Sequence, residues 1–146
     1  MNYRTLLVTL SATAALSAMA QSAVAPAIPR DEKIEQQVEQ TLARMTLDEK
    51  IGQICELTID VIQDRNNTAG GFVIDEAKLD SVIGKYKVGS ILNVPAGVAQ
   101  DTAMWHNLIR RIQEKSLETM GIPCVYGVDQ IHGTTYTLGG TFFPQG

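Results

Sequence analysis

The residues best placed to do chemistry lie near the end of the chain. Residues 122–128 form an apolar run, and Asp129 follows it directly. The segment reads Tyr126-Gly127-Val128-Asp129-Gln130-Ile131-His132-Gly133, then a polar stretch from Thr134 to Gly140, then Thr141-Phe142-Phe143-Pro144-Gln145. An ionised carboxylate accepts hydrogen bonds and donates none, so Asp129 at the end of a strand could take a pair of hydroxyls as charge-assisted bonds. The same side chain could instead cap a turn or a helix. His132 reads better as a histidine bonded to backbone at the start of the loop than as a ligand, because Asp129 and His132 alone are too few for a zinc site. Gly127 and Gly133 allow tight backbone geometry. Cys55 and Cys124 form no C-x-x-C pair and read as small buried hydrophobes, with a bridge between them as the less favoured alternative. Asp60, Asp64, Asp75 and Asp80 fall on helices and loops and match no catalytic pattern.

Asp129 must be positioned by the elements before it. Ile34, Val38, Leu42 and Met45 recur at helical period, which predicts a helix from about Asp31 with one inward stripe. Thr46-Leu47-Asp48-Glu49 is a capping box opening a second helix. That helix is expected to place Leu47, Ile51, Ile54 and Cys55 on its inner face and to fade near Thr58. Residues 63–71 are polar and end in two glycines, which predicts a loop. Asn66-Asn67-Thr68 within it fits the N-glycosylation pattern, a weak signal alone. Asp75 is a candidate cap for a short helix carrying Leu79, Val82 and Ile83, weakened at Gly84. A strand is expected over about residues 88–92. A helix follows from Asp101, with Trp105, Leu108, Ile109, Ile112 and Ser116 inward, stopping at Gly121 with Pro123 beyond. A second strand then covers 123–128. Neither strand alternates cleanly, as strands covered on both faces do, and the helix between them suits a parallel βαβ crossover.

The series Gly-Val-Asp, two residues, His-Gly, a polar loop, then Thr, Phe, Phe-Pro resembles the first barrel signature of glycoside hydrolase family 3. Residues 45–53 are similar to that family's N-terminal helix, 88–92 to an early barrel strand, and 118–123 to the lead into the next. The likeness spans about residues 31–146. It implies an α/β fold: the opening portion of a (β/α)8 TIM-type barrel preceded by N-terminal helices, and incomplete. Active-site residues of such barrels sit just past the C-terminal ends of strands, where Asp129 falls. The resemblance implies that Asp129 binds hydroxyls of the terminal sugar in the −1 subsite. It implies an exo-acting hydrolase of terminal β-linked sugars, β-D-glucosides foremost, with β-xylosides and β-N-acetylhexosaminides left open. Retention needs two carboxyl groups about 5–5.5 Å apart. The family places its nucleophilic Asp on a much later strand and its acid/base Glu in a following domain, so no catalytic residue is assigned within these 146. The chemistry requires no metal or organic cofactor. Trp105 and Tyr126 could stack on a sugar, but Trp105 lies on the inward helix stripe and reads as core. A second reading is a secreted, non-catalytic carbohydrate-binding protein on the same barrel. An unrelated periplasmic binding protein fits the His-Gly and Phe-Phe-Pro spacing poorly.

Bulk composition agrees with a globular domain: 45% hydrophobic and 19% charged residues, with a formal charge of −4. A mildly acidic chain with no basic cluster argues against nucleic acid as partner. Residues 1–20 have the order of a signal peptide: Arg4, an uncharged apolar stretch, and Ala18-Met19-Ala20. Export to the periplasm or medium is expected, with cleavage after Ala20 or alternatively Ala25, a linker over 21–30, and no membrane association afterwards. A full barrel takes about 250 residues, and an isolated βαβ unit leaves strand edges unpaired. Residues 21–146 alone are therefore expected neither to fold stably nor to hydrolyse glycosides. Circular dichroism on heating should show no cooperative transition, and a sharp melt would overturn this expectation.

Overall fold

The computed structural model describes residues 28–130 and 133–140. The expected signal segment, most of the expected linker, His132 and the Phe142-Phe143-Pro144 stretch lie outside the described residues. The chain divides into two compact units, Met1–Thr41 and Leu42–Gly146. The described part of the first carries most of α1 (Glu32–Arg44), opened by Asp31, whose carboxylate accepts from the amides of Lys33 and Ile34. The helix is where its period predicts, but it buries no residue: Ile34 and Val38 are exposed, as is Leu42 in its last turn.

In the second unit, α2 (Leu47–Gln53) starts at the predicted capping box, with Thr46 and Glu49 bonded reciprocally. It does not run on to Thr58. It ends at Gln53, and residues Glu56–Thr58 form β1. Its contact face also differs from the predicted stripe, because Leu47, Ile51 and Ile54 are exposed and Gly52 is the buried residue. The reason is a backbone-to-backbone contact. A Cβ on Gly52 would lie 2.1 Å from the Tyr86 carbonyl oxygen, and one on Gly89 would lie 2.2 Å from that of Gln53. The Gly89 N–H donates to the Gly52 carbonyl at 3.0 Å, and the Gln53 side chain donates to the Lys87 carbonyl. No other residue type permits this approach, which feeds the chain into β1 beside β2.

β2 (Ser90–Leu92) and β3 (Val125–Gly127) complete a three-stranded parallel sheet in the order β1-β2-β3. Leu57, Ile91 and Tyr126 align across it. Both predicted strands are present, shorter than their apolar runs. A 3-10 turn (Ile59–Ile62) follows β1; α3 (Glu76–Leu79) runs into a π-helical turn (Asp80–Lys85). Asp75 caps α3 as predicted, while the helix passes Gly84 and ends at Lys85. The crossover helix α4 (Thr102–Met120) is capped by Asp101 and closed by Gly121 in the left-handed region. Leu108, Ile112 and Ser116 are buried on it, as its spacing predicts.

These elements bury Ile59, Ile62, Leu79, Ile83, Ile91, Leu108 and Ile112 in one cluster. Each such side chain contributes roughly 1.5–3 kcal/mol by leaving water. Polar groups are satisfied at its margin: the Ser116 hydroxyl donates to the Ile122 carbonyl, and the Gln113 amide pairs with both backbone groups of Cys124. Lys115 reaches Asp80 at 2.6 Å, and this bond holds the Asp80 carboxyl below its ordinary value.

The cluster lies on the sheet face that carries Ile91. Successive side chains alternate between faces, so Glu56, Ser90 and Val125 share the other one. Val125 is 65% exposed there, and Glu56 accepts a hydrogen bond from the Ser90 hydroxyl at 2.8 Å. The expectation of strands covered on both faces is thus met on one face only among the described residues. Cys55 and Cys124 are free thiols. They flank Gly89 one step before the aligned row Glu56, Ser90 and Val125, so two strand spacings of about 4.8 Å separate them, beyond the reach of a disulfide. Burial pushes the Cys124 thiol up to about 11.

Gly52→Ala and Gly89→Ala should each cost about 1–3 kcal/mol or more, since the added methyl meets backbone that cannot rotate away. Denaturant titration of the full-length protein checks this, and a wild-type midpoint for either variant would refute the close approach.

Candidate functional site

Three parallel strands with aligned registers bring their C-terminal ends to one edge. Beyond β1 stands Asp60, beyond β2 Asn93, and beyond β3 Asp129. Asp129 is exposed and is the central residue of a tight turn in which the Gln130 N–H donates to the Val128 carbonyl at 3.0 Å. Its carboxylate makes no hydrogen bond or ion pair among the described residues. No described helix opens at Asp129.

The edge is held by backbone. Asn93 adopts φ 82°, a left-handed conformation that Asn tolerates better than most residues. In it the Asn93 N–H donates to the Gly127 carbonyl at 3.0 Å, while its own carbonyl accepts from the Tyr126 hydroxyl at 2.7 Å. Burial, then the negative charge of Asp60 and the Cys124 thiol, hold the Tyr126 phenol well above its ordinary value. Pro95–Gly97 forms a 3-10 turn with Ala96 also at positive φ, and Gln100 ties this turn down by donating to the Pro95 and Val98 carbonyls.

The loop after Asp129 is anchored to the same neighbour. Gln100 donates its N–H to the Tyr136 carbonyl and accepts from the Leu138 N–H, forming a parallel bridge to Thr137. The Trp105 indole N–H donates to the same Tyr136 carbonyl at 3.1 Å. The Trp105 ring meets Tyr126 edge-on, with centroids 5.8 Å apart. Trp105 is packed against the core, as its helix position predicts, and is not an open stacking platform.

Three of the other aspartates are occupied structurally. Asp75 caps α3 and pairs with Lys78, Asp80 pairs with Lys115, and Asp64 accepts from the Asn66 amide. Asp60 is the one that sequence reasoning misplaced. Reading 47–58 as a single helix hid the strand that carries it to the Asp129 edge. The short Glu-Leu-Thr run has no periodicity of its own that could reveal it. A cavity of about 480 Å³ lined by Asp48, Gly52, Cys55, Tyr86 and Lys87 lies at the opposite edge, before β1 and β2, and brings no chemistry to Asp129. Among the described residues no group of three or more His, Cys, Asp or Glu could hold a metal ion.

Residues 46–146 match the profile of the glycosyl hydrolase family 3 N-terminal domain. The chain belongs to this family. Within glycosyl hydrolase family 3, it is 33% identical to the lysosomal beta glucosidase of Dictyostelium discoideum over 74% of its own length and 14% of that protein's. Two crystal structures of an exo-1,3/1,4-beta-glucanase from a Pseudoalteromonas species, one of them a mutant, superpose with TM-scores of 0.63 and 0.64 at 26% identity. Each covers 84% of this chain, which spans only 18% and 14% of theirs. The family resemblance drawn from residues 45–53 and 126–145 is thereby established.

Tyr126→Phe deletes the bond that closes the β2–β3 edge and should cost about 1 kcal/mol of stability, the usual net worth of such a bond. Thermal or denaturant unfolding of the full-length variant measures it; no loss would mean the Asn93 carbonyl finds another donor.

Proposed function

We propose that this chain forms the opening of a (β/α)8 barrel in an exported, exo-acting glycoside hydrolase that releases terminal β-linked sugars, β-D-glucosides foremost. Asp129 is its sugar-holding residue. The observation that carries this reading is an exposed carboxylate, unengaged among the described residues, just past the C-terminal end of a parallel strand, where barrels of this type bind substrate. The relatives described as a beta glucosidase and an exo-beta-glucanase support the substrate class.

An ionised Asp129 offers two oxygens to adjacent sugar hydroxyls and has no donor of its own to misdirect. Its bonds are charge-assisted and so stronger than neutral ones. They fix the ring while a nucleophilic carboxylate attacks the anomeric carbon and an acid/base carboxyl protonates the leaving oxygen. We assign both of those groups to parts of the protein outside these 146 residues. In this scheme Asp129 orients substrate and forms no covalent bond.

In the full-length protein, Asp129→Asn should lower kcat/KM for 4-nitrophenyl β-D-glucopyranoside about a hundredfold, as expected when one or two charge-assisted bonds are weakened. Unchanged kinetics would remove Asp129 from the site. A wild-type protein that binds glucose without hydrolysing any β-glycoside would favour the non-catalytic reading instead.

A further inference from the structure

We infer that Trp105 is a positioning residue for Asp129, acting through the Tyr136 carbonyl and the Tyr126 ring; this rests on the sugar-holding role proposed above. Asp129 is followed by a segment that returns to the fold at residues 136–138. Both flanks of Asp129 are tied to one stretch of chain, Asn93 to Trp105. On the near side, Tyr126 and Gly127 bond to Asn93. On the far side, Tyr136 and Leu138 bond to Gln100. Trp105 touches both flanks, with its ring against Tyr126 and its N–H on Tyr136.

Trp105 stands one turn inside α4, the longest helix described, which packs through Leu108 and Ile112 into the main cluster. Its indole therefore connects this helix to residues 136–138, which the Gln100 backbone also holds. The Tyr136 carbonyl receives two donors, Gln100 N–H and Trp105 N–H, using both of its lone pairs. An indole with a partly buried body and one N–H needs such an acceptor, and here the acceptor is the loop. Loss of that N–H removes one of the two donors on the Tyr136 carbonyl, while the ring contact on the other flank persists. Substrate contacts tolerate little misplacement, since about 1 Å can cost a hundredfold in rate.

The test is a double-mutant cycle in the full-length enzyme with Trp105→Phe and Asp129→Asn. Trp105→Phe keeps an aromatic side chain beside Tyr126 and removes the donor along with part of the ring. It should raise KM for 4-nitrophenyl β-D-glucopyranoside about fivefold with kcat within about twofold, the pattern of weakened binding. Once Asp129 is Asn, the same change should raise KM less than about twofold, because residues acting through one contact are non-additive. A purely structural role would lower the active fraction, and with it kcat, at constant KM. Leu138→Pro supplies a second variant that spares the core. Residues 137–140 form a turn closed by the Gly140 N–H on the Thr137 carbonyl, with Gly139 at φ 77°, so position 138 accepts proline while losing its N–H to Gln100. The same rise in KM is expected from it. An unchanged KM in both variants, or full additivity with Asp129→Asn, overturns the inference; an Asp129→Asn enzyme with wild-type kinetics overturns the sugar-holding role itself.

Discussion

Backbone packed directly on backbone at Gly89 sets the register from which the rest of the described fold follows. Its N–H bonds the end of α2, its carbonyl accepts from Val125 at the start of β3, and its missing side chain leaves room for Gln53. One residue thus levels three strands. Because they start level, they finish level, and Asp60, Asn93 and Asp129 emerge along one edge. Displacing this contact by the width of a methyl group would shift β1 against β2 before any side chain in the core was disturbed.

The edge itself is built largely from carbonyls and amides. Asn93 in a left-handed conformation crosses to β3, and the Tyr126 phenol closes the same junction from the side chain. At the mouth of β3 stands the exposed carboxylate of Asp129, unengaged among the described residues. A rim with exposed carboxylates at Asp60 and Asp129 is a suitable arrangement for taking up neutral, hydroxyl-rich ligands, which present donors in pairs.

Much of this was legible in the sequence because the relevant signals are local. The Thr46–Glu49 box, the Asp75 and Asp101 caps, Gly121, and the Leu108–Ile112–Ser116 stripe each act within a turn or two of helix, and each stands where its pattern places it. The Asp129 motif was legible through its spacing and its position after an apolar run. What sequence could not show depends on distant partners. Residues 56–58 become a strand through pairing with residues 34 positions away, overriding a helical pattern. Ile51 and Ile54 look like core and are exposed because a glycine, not an apolar face, makes the contact. The tie from Trp105 to Tyr136 is likewise a long-range bond that no periodicity encodes.

Gln113 has a consequence for how anything could join this sheet. Val125 and Gly127 turn their backbone groups toward β2, so Cys124 and Tyr126 turn theirs outward. The Gln113 amide already fills both positions at Cys124, imitating the strand that would lie there. A neighbouring chain is therefore refused at the first rung, and its ladder has to begin at Tyr126, one pleat closer to the acidic rim.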